Sequence, residues 1–316
     1  MTTQPRLSIG LPVYNGERYL AESLDALLGQ TYEDYELIIS DNASTDSTQA
    51  ICQSYAGRDS RIRYVRQDTN IGACPNHNHT FHLARGELFK WASYDDLYGR
   101  DLLRCCVEAL DARPEVVLAH SHQAIIDGTG RVTHKVDYPL DTDVESAPAR
   151  FRSLLFDVGG DDFYGIIRSD VLRRTPLNDS YHHSDRTLVA ELALAGRFHQ
   201  VPEVMFFRRD HPGRAERAKP TKRLRSANMD PRRADRLRHP TARLLAEYVW
   251  GFVSAIRRTP LSASDRRLCY LYLTEWLASR AIPGSAERLE DRPDDLVDPS
   301  VMSIGAVVAG QKRGHA

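Results

Sequence analysis

Two adjacent carboxylates, Asp95 and Asp96, follow directly on the apolar, strand-like run from Leu88 to Ala92. Carboxylate oxygens are hard ligands. A pair of them beyond the carboxyl end of a strand suits Mg²⁺ or Mn²⁺ held together with substrate phosphates. The same dipeptide also opens helices: Arg100-Asp101-Leu102-Leu103 comes next, and acids near a helix N-terminus are favoured by capping and by the macrodipole. On the pair alone both readings stand. A second polar cluster, His77, His79 and His82 among asparagines, does not share one helical face, so a histidine metal site is not expected there.

Alternating elements must position the acidic pair. Leu7 to Tyr14 reads as a buried strand broken at Asn15-Gly16, and the segment from Glu17 to Gln30 carries Tyr19, Leu20, Leu24, Leu27 and Leu28 at helical spacing. A strand over 35–40, a polar turn over 41–46 and a helix over 47–55 repeat the pattern. A strand over 62–66 and a helix over 73–85 follow, and the fourth strand, 88–92, ends at the pair. Such alternation predicts a mainly parallel sheet flanked by helices, with the polar turns gathered along one edge. Further on, a helix over 100–112 precedes a strand over 116–126 and a hairpin turn, Asp127-Gly128-Thr129-Gly130, into a strand over 131–136. The middle is less regular, with a strand over 163–168, a short helix over 169–174, a helix from Asp185 to Ala195 stopped by Gly196, and a strand over 204–208. Residues 214–238 are strongly basic and read as a mobile loop. Two amphipathic helices, 241–258 and 264–280, form a C-terminal helical appendage.

The 316 residues can bury a large core. With 42 Lys and Arg against 43 Asp and Glu, no global field points to nucleic acid. The five cysteines lack paired spacing, which argues against a disulfide framework or a Cys-rich metal site and for a reduced compartment. The start of the chain carries no basic region with an apolar leader, and no apolar run is long enough to span a bilayer. The expected location is cytoplasmic, with peripheral attachment at the inner membrane face left open by the basic segment.

Several motifs occur in one order. Pro12-Val13-Tyr14-Asn15 with Glu17, Asp41-Asn42-Ala43-Ser44-Thr45-Asp46, Asn70-Ile71-Gly72 with Asn76, Ala84-Arg85-Gly86 and Ser93-Tyr94-Asp95-Asp96 together resemble the family 2 glycosyltransferases over about residues 5–212. The resemblance implies a Rossmann-like GT-A fold, α/β with a mainly parallel central sheet. It implies a nucleotide-sugar-binding and catalytic domain over 1–212; charge, periodicity and composition add a basic loop (213–240), a helical region (241–282) and a loosely ordered tail (283–316).

The implied activity is inverting, metal-assisted transfer of a sugar from a UDP, dTDP or GDP conjugate to an acceptor hydroxyl of a polysaccharide, glycolipid or natural product. Pro12, Tyr14, Asn15, Glu17, Asp41, Asn42 and Asp95 are implied to contact the nucleotide, Asp96 and His211 to hold Mg²⁺ or Mn²⁺, and Asp185 to act as catalytic base. Where His211 is a loop histidine instead, Arg208 or Arg209 would serve the diphosphate. Two positions depart from the pattern: Asn42 stands where a second acid is common, and Ser93 where the metal motif is frequently acidic. The C-terminal helices are a candidate homo-oligomer contact.

A sugar nucleotidyltransferase would need a Gly- and Arg-rich phosphate loop after the first strand, and an NAD-dependent oxidoreductase a Gly-x-Gly-x-x-Gly; Val13-Tyr14-Asn15-Gly16-Glu17 supplies neither. The other alternative is a non-catalytic nucleotide-sugar-binding module.

Overall fold

The computed structural model describes residues 4–157, 161–181, 183–214, 218–219 and 221–281. The tail expected from 283 onward and residues 215–217 and 220 of the basic segment lie outside them.

The first half follows the sequence pattern closely. Strands β1 (Leu7–Val13), β2 (Tyr35–Asp41), β3 (Ile62–Arg66) and β4 (Leu88–Trp91) alternate with helices α1 (Leu20–Leu28), α2 (Thr48–Ala56) and α3 (Ala73–Leu83). All four strands run parallel, with Leu7 opposite Tyr35 and Val13 opposite Asp41. Their side chains are buried on both faces in β1, β2 and β4, as expected of strands that read as continuous apolar runs.

After the acidic pair come a two-residue strand β5 (Leu97–Tyr98), α4 (Leu102–Ala112), β6 (Val116–Ile126), β7 (Val132–Val136) and α5 (Ala147–Phe156). Next are a 3₁₀ turn (Asp161–Tyr164), β8 (Ile166–Arg168), α6 (Ser169–Leu172), α7 (Ser184–Ala195) and β9 (Arg197–Arg209). The sheet order is β3-β2-β1-β4-β8-β6-β9-β5, with β7 on β6. β8, β7 and β5 run antiparallel to their neighbours, whereas β6 and β9 are parallel. β5 and α5 have no counterpart in the sequence reading: two residues are too few for a period, and α5 is set by its caps, Ser146 accepting from the Ala149 N–H with Pro148 in the first turn. β9 is longer than the expected 204–208 because its first half pairs with β6 through register shifts.

One core packs α1 and α4 on the sheet through Leu24, Leu27, Leu103 and Leu110. The other face carries Phe89, Trp91, Phe151, Leu188 and Phe198, and to it the last two helices, α9 (Thr241–Arg258) and α10 (Ala263–Ala281), add Phe252, Ile256 and Trp276. The C-terminal helices therefore share a core with the sheet. Within the basic segment expected as a loop, α8 (Lys222–Met229) and a 3₁₀ turn (Pro231–Ala234) form instead; Thr221 caps α8 and Asp230 starts the turn. Among the described residues no helix is long and apolar enough to cross a membrane.

Candidate active site

The turns after β1 and β2 lie side by side because their strands pair in register. Asn15 and Ala43 both have positive φ, 51° and 60°, a conformation that asparagine tolerates through its short polar side chain. The two turns are clasped together. The Asn15 N–H donates to Ser44 Oγ at 3.0 Å, its Oδ1 accepts from the Thr45 N–H at 2.8 Å, and Glu17 accepts from the Ser47 N–H at 3.0 Å. Tyr14, directly after β1, stays 42% exposed, whereas Pro12 within the strand is buried.

Asp41 is fully buried. Its carboxylate accepts from the Ser44 N–H, the Tyr64 hydroxyl and Arg66, the last at 2.5 Å. Asn42 is turned inward as well: Oδ1 accepts from the Ile71 N–H at 2.8 Å, and Nδ2 donates to Asn70 Oδ1 and to the Gly72 carbonyl. Both amide hydrogens are thus engaged, leaving one Oδ1 lone pair for a ligand. Gly72 has φ of 93°, and a Cβ there would stand 2.5 Å from the Met229 carbonyl, so α8 lies directly on the start of α3.

At the end of β4 the acidic pair is drawn into a buried junction with the end of β9. Asp96 Oδ1 accepts from the Arg209 N–H at 2.8 Å, and the Asp95 carbonyl accepts from Arg209 Nε at 2.8 Å. Asp95 Oδ2 lies 2.9 Å from His211 Nε2, and Ser93 donates to Oδ1. Burial pushes the Asp95 carboxyl up, but the hydrogen bonds from His211 and Ser93 and the charge of Arg214 outweigh it and hold the pKa below the ordinary aspartate value. The His211 ring also packs on Tyr19, with centroids 4.8 Å apart.

Arg209 is not a diphosphate contact, which corrects that alternative. Its side chain is 1% exposed, pairs with Glu22 of α1 at 2.7 Å and covers the Tyr19 ring at 4.6 Å. Glu22 and Tyr19 complete the junction, and no sequence signal marks Glu22, which is 187 residues from its partner.

The structure thus joins His211 to Asp95, which the sequence reading places on the nucleotide. Ligand atoms 2.9 Å apart match neighbouring corners of an octahedron with bonds of about 2.1 Å, so Asp95 and His211 fit one divalent ion once their hydrogen bond is exchanged for it. Among the described residues no group of three or more His, Cys, Asp or Glu is arranged to hold a metal alone. The donor set fits an ion whose remaining ligands come from phosphate and water.

Asp185 opens α7, as the sequence reading has it. The preceding Ser184 lies 3.9 Å from Cys74 Sγ in α3 and donates to Asn178 at 2.5 Å. α7 therefore starts against the same end of α3 that Asn42 grips through Gly72. Burial pushes the Cys74 thiol up to about 12, so it stays protonated and is no nucleophile at neutral pH. His77, fully inside α3, has its Nδ1 2.8 Å from the Ala73 carbonyl, a local helical contact.

The sequence profile of glycosyl transferase family 2 matches residues 8–178, just over half the chain. The chain is 37% identical over 97 residues to the uncharacterized glycosyltransferase RT0329 of Rickettsia typhi and 32% identical over 97 residues to the glycosyltransferase GlyG of Streptococcus pneumoniae. Each match covers 31% of this chain, and 29% and 32% of those proteins respectively, so the chain aligns with about a third of each.

Among solved structures, S. aureus TarS residues 1–349 in complex with UDP-GlcNAc superimposes with a TM-score of 0.54 at 16% identity, covering 93% of this chain and 95% of that one. The mannosyltransferase PcManGT from Pyrobaculum calidifontis, in complex with GDP-Man and Mn²⁺, does so with 0.52 at 19% identity, covering 92% and 84%. These likenesses establish a GT-A-like fold. With the family profile spanning β1 to the loop after α6, the chain belongs to glycosyl transferase family 2.

Proposed function

We propose that this protein is an inverting glycosyltransferase that moves a sugar from a nucleoside diphosphate to an acceptor hydroxyl. The observation that carries the reading is the junction of Asp95, Asp96 and His211 at the carboxyl end of β4, where ligands of open α/β sheets bind. TarS bound to UDP-GlcNAc and PcManGT bound to GDP-Man and Mn²⁺ support a nucleotide-sugar donor and a divalent ion. Asp95 and His211 would hold that ion together with phosphate oxygens and water, with the Asp96 carboxylate beside them adding its charge; when bound the ion would neutralise the charge building on the departing diphosphate.

The chain's own residues do the rest. Tyr14 offers an exposed aromatic face to the base, and Asn42 its remaining Oδ1 lone pair to a ring N–H. Pro12, Asn15, Glu17 and Asp41 shape and clasp the slot. Asp185 takes the acceptor's hydroxyl proton as the new bond to the anomeric carbon forms and the bond to the diphosphate oxygen breaks, with inversion. Asp185→Asn tests this. Transfer should fall by at least about a hundredfold while calorimetric affinity for UDP, dTDP or GDP with Mn²⁺ is kept; undiminished turnover in a folded variant would exclude Asp185 as the base.

The acceptor side includes the exposed run Arg236-Leu237-Arg238, in which Leu237 is 94% exposed. An apolar side chain between cations favours contact with an anionic lipid surface. Vesicles containing phosphatidylglycerol should sediment the protein and neutral vesicles should not; equal behaviour of the two would sink this part of the reading.

A further inference from the structure

A second cleft, of about 220 Å³, lies between α7, α9 and the loop 176–181, and the roles assigned above leave it unused. Leu177, Leu188, Glu191, Glu247, Trp250 and Arg258 are among its walls. Its chemistry is mixed in a particular way. Arg258 binds Glu191 through two nitrogens, at 2.8 and 2.7 Å, and Arg233 binds Glu247 while lying 3.9 Å from Asp179. Glu247 is also held by Arg243 at 2.9 Å, so three carboxylates are matched by three guanidiniums. The balanced pairs leave no charge over for an ionic ligand, and an apolar one would cover them without offering hydrogen bonds.

A neutral, polyhydroxylated ligand suits both halves of the wall. Its hydroxyls donate to the outer lone pairs of the carboxylates and accept from the guanidinium N–H groups, while a C–H face lies on the exposed ring of Trp250. Of the chain's three tryptophans, Trp91 and Trp276 are buried, whereas Trp250 at the cleft is 58% exposed.

The cleft is also preformed. Leu177 has φ of 63°, a left-handed conformation that a branched residue adopts only where its surroundings hold it. The adjacent Asn178 is locked to α3 by two hydrogen bonds with the Asn78 side chain, at 2.8 and 3.1 Å. On the other wall Gly251 lets α9 approach Tyr181: a Cβ there would stand 2.1 Å from the Tyr181 hydroxyl.

We propose that this cleft is a saccharide subsite that receives a neutral sugar residue of the acceptor, away from the reacting hydroxyl. It rests on the glycosyltransferase reading, because Leu188 follows Asp185 by one helical turn, only about 4.5 Å along α7. An acceptor chain running from Asp185 along α7 would reach it.

The test uses the full-length protein, with tryptophan emission and calorimetry during titration with chitotetraose, cellotetraose and mannotetraose. At least one should bind saturably and change the emission. Ser254→Phe, which fills the cleft from α9, and Trp250→Ala should each weaken calorimetric binding at least tenfold. Absence of saturable binding by all three sugars, or unchanged affinity in folded Ser254→Phe, overturns the proposal. Thermal stabilisation by UDP or GDP with Mn²⁺ is read separately. Saccharide binding lost in Ser254→Phe supports the cleft even where no nucleotide binds, and that second result would overturn the donor reading alone.

Discussion

The Arg209 backbone N–H donates to Asp96 Oδ1 at 2.8 Å while its guanidinium reaches the Asp95 carbonyl and Glu22. One residue at the end of β9 thus fixes both members of the acidic pair and ties them to α1. The carboxylates are held by the sheet itself rather than by a flexible loop, which lowers the cost of presenting them to a ligand.

Substituting Asp96 separates binding from folding. Asp96→Asn retains an oxygen for the Arg209 N–H, so its melting temperature should stay near wild type; Asp96→Ala leaves that buried donor without its acceptor and should lose about 1–3 kcal/mol. Both should lose Mn²⁺-dependent nucleotide binding by calorimetry. Retained metal-dependent binding in Asp96→Ala would remove Asp96 from the site.

Arg209→Ala should be among the most damaging changes in the chain. It empties a fully buried volume beside Tyr19 and frees the Asp95 carbonyl, at a cost of about 2–4 kcal/mol. Glu22 is half exposed, so Glu22→Gln should cost far less, within about 1 kcal/mol. Equal denaturant midpoints for the two variants would contradict this assignment.

Lys90 makes stability depend on pH on the alkaline side. Burial, opposed by Cys106 and Asp96, brings its pKa down to about 8 from 10.5. Below pH 8 the folded and unfolded chains both carry the proton and the cost of burying the charge is fully present. Between pH 8 and 10.5 the unfolded state binds more protons, so this group's contribution to stability rises with pH, by about 3 kcal/mol across the window. Lys90→Met removes the ammonium that donates to the Tyr164 carbonyl. Its stability, followed by urea titration from pH 7 to 10, should lack that rise relative to wild type.

Gly72→Ala should loosen the basic segment from the catalytic domain. The positive φ and the 2.5 Å approach to the Met229 carbonyl predict a loss of about 1–3 kcal/mol. Faster hydrogen exchange confined to α8 and the start of α3 is the expected signature; unchanged exchange in α8 would show that this contact does not hold it.

The turn residues show how sequence and structure divided the work. Asn15, Glu17, Asp41 and Asn42 are recognisable from their order along the chain, and their strands from apolar period and length. Their contacts were not legible: Asn42 holds Ile71 and Gly72, Asp41 holds Arg66, and Glu17 holds Ser47. These partners lie between 25 and 30 residues away and depend on the parallel register of β1, β2 and β3. Similarly, the charge of the segment 214–238 reads as a loop because helical periodicity is weak in a run of arginines. Caps at Thr221 and Asp230 and packing on Gly72 nevertheless make it helical in part.

What the sequence by itself determined was the alternation of strands and helices, and the acidic pair at the end of β4. Local period and turn chemistry encode both. Only the tertiary structure decided that His211 meets Asp95, that Arg209 turns inward to Glu22, and that α7 and α9 enclose a cleft lined by Glu191 and Arg258. Each of these joins residues more than 60 positions apart, and their distance in space is set by sheet order and helix packing rather than by any local pattern.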